Sequence, residues 1–100
     1  MREALVENHL VREVAKRGGE IRKAKWIGRN GCPDRYVMLP DRPPTWVELK
    51  APGLDAEDHQ AREHRRMQRL GCRVMVLDTK EKIDEWLGTG AVDGQGVGSA

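Results

Sequence analysis

Apolar side chains near the start of the chain recur at the spacing of an α-helix. Val6, Leu10 and Val14 lie four residues apart, and on a helix they form one stripe that faces a core. Gly18-Gly19 follows soon after and is a typical helix stop. The pattern therefore predicts a helix over residues 2–17 with one buried face.

Two further helices are predicted in the second half of the chain. Asp55 is a candidate N-cap of a long helix that extends to Leu70, with acidic residues in its first turn and Gly71 at the C′ position. A short helix is predicted over residues 80–87. Residues 88–100 are mainly Gly, Ala, Ser and Val and offer little to bury, so we predict a disordered tail there.

Strand patterns separate these helices. Residues 20–26 alternate polar and apolar side chains, which predicts a half-buried strand, and residues 34–39 and 45–50 form two short apolar runs. Residues 73–78 are almost continuously apolar, as expected for a central strand. The predicted order is α-β-β-β-α-β-α, an α/β fold with a mixed central sheet and flanking helices.

Charged residues meet on one side of the predicted hairpin. Side chains alternate between faces along a strand, so Glu48 and Lys50 share a face. A five-residue turn at 40–44 sets Tyr36 opposite Glu48 and Asp34 opposite Lys50. Cross-strand partners project on the same face, so we expect Asp34, Glu48 and Lys50 to converge.

Composition narrows the class of protein. The 100 residues predict one folded domain over residues 1–87, followed by the tail. There is no run of about 18 apolar residues to span a membrane, and acidic residues near the amino terminus argue against a signal peptide. Cys32 and Cys72 lie far apart, which favours two free thiols and a cytoplasmic location, in a bacterial cell or, for a viral protein, its host.

The net charge of +2 is small, but basic residues are clustered. Four arginines fall at i, i+3, i+4 and i+7 of the second long helix, and a polar, basic loop precedes Asp34. Such clusters are typical of nucleic-acid-binding surfaces, although a charge run taken alone is more often a solvated helix face. The candidate nucleic-acid-binding residues are Arg29, Asn30, Arg62, Arg65, Arg66 and Arg69.

Two carboxylates and a lysine at one place suit a metal-dependent hydrolase. Mg²⁺ prefers oxygen ligands and usually binds one or two carboxylates together with phosphate and water. Asp34 and Glu48 supply the carboxylates, the backbone carbonyl of Leu49 supplies a further oxygen, and Lys50 can orient water or neutralise developing charge. The alternative is a plain cross-strand ion pair between Asp34 and Lys50, which leaves the second acid unexplained.

Several short motifs occur in the order of the predicted helices and strands: Glu7, Gly31-x-Pro33-Asp34, Glu48-x-Lys50 and Gln60. Together they resemble the VRR-Nuc domain, a branch of the PD-(D/E)XK nuclease superfamily, over roughly residues 3–87. The resemblance implies Mg²⁺- or Mn²⁺-dependent cleavage of DNA, often of branched DNA. Some members of the superfamily carry a tyrosine four residues after the glutamine, and here that position is His64.

The resemblance adds two residues to the predicted site. Glu7, on the first helix, is implied as a catalytic acid that reaches the metal directly or through water, or that holds a second ion. Gln60 is implied as a residue that positions Lys50 or a phosphate. His64 shows no metal-ligand spacing with the other histidines, His9 and His59, so a surface or hinge position is expected for it.

The sequence thus predicts a small metal-dependent DNA endonuclease. A short domain offers one active site, and cutting both strands of a four-way (Holliday) junction needs two, so we expect a homodimer. Nucleases for flaps, nicks or ends, and an inactive DNA-binding module with the same fold, remain the alternatives. A third alternative is an interaction domain that binds no nucleic acid.

Overall fold

The predicted order of helices and strands is confirmed. The structure, a computed structural model, describes residues 2–93, with the side chains of residues 89–93 left out. Three helices and four strands follow one another as α-β-β-β-α-β-α: α1 (Arg2–Lys16), β1 (Glu20–Lys23), β2 (Arg35–Leu39), β3 (Arg42–Leu49), α2 (Asp58–Arg69), β4 (Arg73–Leu77) and α3 (Lys80–Asp93).

The four strands form one mixed sheet in the order β1-β2-β3-β4. β1 pairs with β2 and β2 with β3 in antiparallel fashion, whereas β3 and β4 are parallel. The prediction of β4 as a central strand was wrong, because within residues 2–93 it lies at the end of the sheet. Its apolar run has a different cause: Met75 and Leu77 pack toward the core, while α2 lies against the strand.

The hairpin between β2 and β3 has a tighter turn than predicted. Pro40 and Asp41 form the turn, and β3 begins at Arg42 rather than after a five-residue loop. Pro43 and Pro44 belong to the strand and precede the first residue that pairs with β4, Thr45. Proline lacks an N–H donor and is tolerated where a strand has no partner on one side. Pro43 and Pro44 occupy such positions, because the pairing with β4 has not yet begun.

The predicted pairing of the hairpin was therefore wrong by two residues. Tyr36 lies opposite Trp46 and Val37 opposite Thr45, with an irregularity before Leu39. The same register, continued by one residue, places Asp34 opposite Glu48. A shift of two leaves every side chain on the face predicted for it, because the alternation along a strand has a period of two.

One face of the sheet carries the apolar core. The stripe of α1 packs against the central strands and α3, and its predicted members are all buried. Leu10, Leu49 and Ile83 are among the largest fully buried side chains. His9 of α1 and Asp84 of α3 form an ion pair at 2.7 Å on the protein surface. The core residues are Val6, Leu10, Val14, Val37, Leu39, Val47, Leu49, Leu77, Ile83 and Leu87.

The other face is polar and aromatic. Tyr36 and Trp46 are cross-strand neighbours whose ring centroids lie 4.6 Å apart, and Trp26 packs on Trp46 at 5.3 Å. β1 ends at Lys23 instead of the predicted residue 26, which leaves Trp26 free of the strand to make this contact. α2 lies over this face with Glu63, His64 and Met67 buried.

The ends of α2 follow local capping rules. Glu57, not the predicted Asp55, is the N-cap; its side chain and that of Gln60 form a reciprocal capping box. Gly71 has φ +94°, and the N–H groups of Gly71 and Cys72 donate to carbonyls of the last turn. This is a Schellman arrangement, so the predicted C′ role of Gly71 is confirmed.

α3 is longer than predicted. It begins at Lys80, as expected, but extends to Asp93, six residues past the predicted end at Leu87. Arg42 donates hydrogen bonds to the carbonyl oxygens of Trp86 and Leu87 at 2.9 and 3.0 Å, which ties this helix to the start of β3. The remainder of the predicted tail, residues 94–100, lies outside the described residues.

Over residues 2–93, no helix has the length and apolar character needed to cross a membrane.

Candidate active site

The loop before β2 is held in place by close packing against α2. Gly31 has φ +93°, and a Cβ atom there would lie 2.8 Å from Cβ of Glu63. Only glycine combines this backbone conformation with so close an approach. Pro33 is fully buried. The loop therefore presents Asp34 at a defined position beside the end of β3.

Asp34 is fixed by the backbone of the neighbouring strand. Its Oδ2 accepts a hydrogen bond of 2.8 Å from the N–H of Leu49. The N–H and C=O of one strand residue point to the same side of the strand. We therefore expect the carbonyl oxygen of Leu49 to face the side on which Asp34 lies.

Glu48 is the most unusual carboxylate in the protein. Its residue exposure is only 2%, and its Oε2 accepts a hydrogen bond of 3.1 Å from Gln60 Nε2. The Nζ of Lys50 lies 3.9 Å from the same oxygen. The other oxygen, Oε1, is buried without a hydrogen-bond partner. Burial and the adjacent carboxylate of Asp34 raise the pKa of Glu48 to about 8.

The structure thus brings together Asp34, Glu48, Lys50 and Gln60, four of the five residues predicted to be catalytic. The predicted pairing of Asp34 with Lys50 across the strands is replaced by a pairing with Glu48. Gln60 contacts Glu48 instead of Lys50, and its Oε1 also accepts a hydrogen bond from the N–H of Glu57; its role toward a phosphate stays a prediction. One side chain thus links the start of α2 to the buried acid.

Glu7, the fifth residue predicted to be catalytic, contacts Arg35. Its Oε2 accepts a 2.7 Å hydrogen bond from Nε of Arg35, which lies on the α1 face of the sheet. Glu3, one helical turn before Glu7, adds a smaller contribution to the pKa shift of Glu48 that burial and Asp34 cause. The catalytic role of Glu7 stays a prediction.

The residues present fit a divalent cation. A buried carboxylate oxygen without a partner, next to a second carboxylate, is a place where a positive ion would remove an electrostatic cost. Across residues 2–93, no cluster of three or more His, Cys, Asp or Glu side chains is arranged to hold a metal. Two carboxylates and the Leu49 carbonyl are therefore the protein oxygens available, a small set of the kind that Mg²⁺ accepts.

Comparison with known proteins agrees with this chemistry. No protein-family model matches the chain. The "Putative nuclease p44" of Acyrthosiphon pisum secondary endosymbiont phage 1 is 47% identical over 81 residues, which are 81% of this chain and 87% of that protein. A solved structure described as a VRR_NUC domain superposes with a TM-score of 0.81 and 30% identity, covering 88% of this chain and 96% of the other.

The chain is a nuclease of the VRR-Nuc family. The resemblance inferred from the sequence motifs is thereby confirmed, as is the fold class. For this VRR-Nuc nuclease, Asp34, Glu48, Lys50 and Gln60 occupy one connected site, and their catalytic roles remain predictions.

A residue that the sequence analysis had not placed in the site is His64. It is buried in α2, with Nε2 lying 3.6 Å from Glu48 Oε1. Burial lowers the pKa of His64. The spacing from Gln60 is i to i+4, which places both side chains on one face of the helix. That spacing was visible in the sequence, but the face that α2 turns toward the sheet was not.

The candidate nucleic-acid-binding arginines divide into two groups. Arg29 and Arg66 both contact Glu63, at 3.3 and 2.8 Å. Burial opposes ionisation of Glu63, but the hydrogen bond from Arg66 and the charge of Arg29 outweigh it, so its pKa is lowered. These two arginines therefore balance a buried acid and are less available to a phosphate.

The other members of the predicted stripe remain exposed. Arg62, Arg65 and Arg69 lie on the side of α2 that faces away from its buried residues, and no ion pair engages them among residues 2–93. Asn30 is also exposed, in the loop before the site. These four side chains are free to meet a phosphate backbone, and their binding role is still untested.

Two tryptophans and a cysteine lie near the site. Trp26 is half-buried against Trp46. Its neighbour Ile27 is 98% exposed, a feature the sequence did not single out. Cys32 and Cys72 are free, as predicted, and both are half-buried. Burial raises the pKa of Cys32, which favours its protonated thiol over the nucleophilic thiolate.

Proposed function

We propose that this VRR-Nuc nuclease is a Mg²⁺- or Mn²⁺-dependent DNA endonuclease that cuts branched DNA, in particular four-way junctions, as a homodimer. The observation that carries the metal dependence is Glu48 Oε1, a carboxylate oxygen buried without a partner beside Asp34. In a site of this kind a cation lets both acids be ionised at neutral pH.

The residues of the site have distinct tasks in phosphodiester hydrolysis. A divalent cation bound by Asp34, Glu48 and the Leu49 carbonyl supplies Lewis-acid polarisation of the phosphate and lowers the pKa of water. Gln60 donates a hydrogen bond to Oε2 of Glu48, which leaves Oε1 available to the cation. Lys50, 3.9 Å from Oε2, provides a positive charge close to the reacting phosphate, where it orients the attacking water and offsets the charge that develops in the transition state.

The substrate follows from charge and from the size of the domain. Exposed arginines on α2 and the loop residue Asn30 offer contacts to phosphates that do not depend on base sequence. Cutting two strands symmetrically at a junction requires two active sites, and a two-fold dimer is the commonest way to supply them. Flaps, nicked duplexes and ends present similar phosphates, so substrate comparison is required to rank them.

The test is cleavage of a labelled panel: four-way junction, flap, nicked duplex, linear duplex and single strand, each with Mg²⁺, Mn²⁺ or EDTA. Glu48→Ala and Lys50→Ala are compared with Lys80→Ala, which removes an exposed lysine on α3. We expect junction cleavage that needs a metal, is lost in the two site variants and is retained in Lys80→Ala.

Each alternative gives its own result. Preferential cutting of flaps, nicks or ends contradicts the junction assignment but not the enzyme class. Junction binding without cleavage under any metal indicates an inactive DNA-binding module. Light scattering that shows a monomer both alone and with an equimolar junction contradicts the homodimer.

A further inference from the structure

Two buried side-chain atoms face each other at the site without a hydrogen-bond partner. Glu48 Oε1 and His64 Nε2 both lack one, and they lie 3.6 Å apart. The side chains are only 3% and 7% exposed, so bulk water does not satisfy them. Buried polar atoms are nearly always paired in folded proteins, and two such atoms in one place indicate that something binds between them.

The separation does not suit a direct hydrogen bond. An N–H···O bond has its two heavy atoms about 2.7–3.2 Å apart, which is shorter than the observed 3.6 Å. A shared metal ion needs a small movement. With bonds of about 2.1 Å in octahedral geometry, neighbouring ligand atoms lie about 3.0 Å apart, so the two atoms would approach each other from the observed 3.6 Å to bind one ion.

Two side chains of α2 lie against the two oxygens of the Glu48 carboxylate. Gln60 Nε2 donates to Oε2, and His64, one helical turn later, approaches Oε1. Because Oε2 is occupied by Gln60 and lies close to Lys50, a cation is directed to Oε1. Within residues 2–93 two buried side-chain nitrogens lack a partner, Trp26 Nε1 and His64 Nε2. An indole N–H can only donate a hydrogen bond, so His64 Nε2 is the one of the two that can bind a cation.

We propose that His64 Nε2 is a ligand of the catalytic cation, shared with Glu48 Oε1. In the structure Asp34, Glu48 and His64 are not arranged as a three-residue metal site, so a bound cation would draw Nε2 and Oε1 closer together. This inference rests on the proposed metal-dependent function and adds a nitrogen donor to an otherwise all-oxygen set. Imidazole favours first-row transition metals, whereas Mg²⁺ prefers oxygen. The site is therefore selective for Mn²⁺ and Co²⁺ over Mg²⁺, and Mn²⁺ bound there has a nitrogen in its coordination sphere.

The test measures metal binding by the intact chain without DNA. Titration calorimetry gives the affinities for Mn²⁺, Co²⁺ and Mg²⁺, and electron spin echo modulation of bound Mn²⁺ detects a directly coordinated histidine nitrogen. We expect nitrogen modulation in the wild type and its loss in His64→Leu. The same substitution should weaken Mn²⁺ and Co²⁺ binding by about tenfold or more and change Mg²⁺ binding by much less.

Matched variants separate this inference from the function on which it rests. Asp34→Asn should abolish binding of all three metals, because it removes a carboxylate of the proposed site. His9→Leu removes an imidazole on the α1–α3 surface and should leave the modulation unchanged. His64→Gln keeps a polar side chain of similar length; it is the second variant if circular dichroism shows that His64→Leu does not fold.

The outcomes distinguish the two ideas. Mn²⁺ that binds the wild type without nitrogen modulation overturns the His64 proposal and leaves the metal-dependent nuclease intact. Equal loss of Mg²⁺ and Mn²⁺ affinity in His64→Leu also overturns it, since it indicates a general disturbance of the site. No binding of any of these metals by the wild type contradicts both proposals.

Discussion

The two faces of the sheet use the same strands for opposite purposes. Toward α1 and α3, β2 and β3 present Val37, Val47 and Leu49, which are almost completely buried among apolar neighbours. Toward α2, the alternate residues include Trp46 and Glu48, and buried ionisable groups replace apolar packing. Stability is therefore concentrated on one face and chemistry on the other, and substitutions should separate the two properties.

The largest effect is expected from Glu48→Gln. The amide keeps the shape of the side chain but cannot hold a cation as a carboxylate does, so Mg²⁺-dependent cleavage should fall by about 10³-fold or more. The protein should remain folded, because the raised pKa keeps metal-free Glu48 mostly neutral at neutral pH and the amide replaces that carboxyl with a neutral group of the same shape. Cleavage rates and thermal unfolding of the same preparations check both statements. An active Glu48→Gln protein would contradict the assignment of the active site to this face.

The second effect is a loss of stability with rising pH, which Glu48 on the α2 face should produce. The pKa of Glu48 is about 8 in the folded protein against a usual value of 4.5. A raised pKa means that the folded state binds the proton more tightly. The contribution of protonated Glu48 to the free energy of unfolding is therefore complete below pH 4.5 and is lost as the pH rises through about 8. At about 1.4 kcal/mol per pKa unit, the loss is on the order of 5 kcal/mol.

Urea unfolding in EDTA from pH 5 to pH 9 measures this loss. Asp34, His64 and Lys50 also face Glu48 and titrate or carry charge, so the informative quantity is the difference between the wild type and Glu48→Gln. The wild type should lose stability relative to the variant as the pH rises. Parallel curves across the range would show that Glu48 does not titrate in this interval.

Much of this division between faces was predictable from the sequence. Alternation along a strand placed Asp34, Glu48 and Lys50 on one face even though the predicted register was wrong by two residues, because only an odd shift exchanges the faces. The register itself was not predictable from composition. Proline is common in turns, and no feature of the neighbouring sequence indicated that Pro43 and Pro44 belong to β3 instead.

Contacts between distant elements were the part that the sequence could not supply. Whether Glu3 or Glu7 acts on the site depends on how far α1 slides along the sheet. The position of His64 depends on which face of α2 is buried, and a helix with mainly charged residues gives a weak apolar stripe from which to decide. The order of the strands was hard to predict for the same reason. An apolar run such as that of β4 predicts that a strand is buried, but it does not show which strands lie beside it.

A third prediction concerns the α1 face. Leu10 is fully buried in the core, and Leu10→Ala removes its contacts and leaves a cavity, so the free energy of unfolding should fall by about 3 kcal/mol. Leu5→Ala is the matched control on the same helix, because Leu5 is 53% exposed; it should change stability by less than about 0.5 kcal/mol. Urea unfolding gives both values.

Leu10→Ala also examines the independence of the two faces. At a temperature and pH where the variant is still folded, its cleavage rate per folded molecule should stay close to that of the wild type. A large loss of activity in folded Leu10→Ala would show that the core positions the site more directly than the contacts of Asp34 and Glu48 indicate.

The smallest effect is expected on the outer surface of α2, which belongs to neither the core nor the buried site. Replacing Arg62, Arg65 and Arg69 together by Gln should weaken duplex and junction binding by roughly tenfold and reduce the slope of log affinity against log salt by up to about 2.7, since each lost phosphate contact removes about 0.9. Unfolding should change little, because these exposed side chains form no ion pairs within residues 2–93.

A control with the same change in charge decides how this result is interpreted. Arg2, Arg12 and Lys80 are exposed on other helices, and their replacement by Gln lowers the net charge equally. If DNA meets the stripe directly, the slope should fall in the α2 variant and change much less in the control. Equal reductions in the two triple variants would mean that DNA responds to the overall charge, and that the arginines of α2 are an ordinary solvated face.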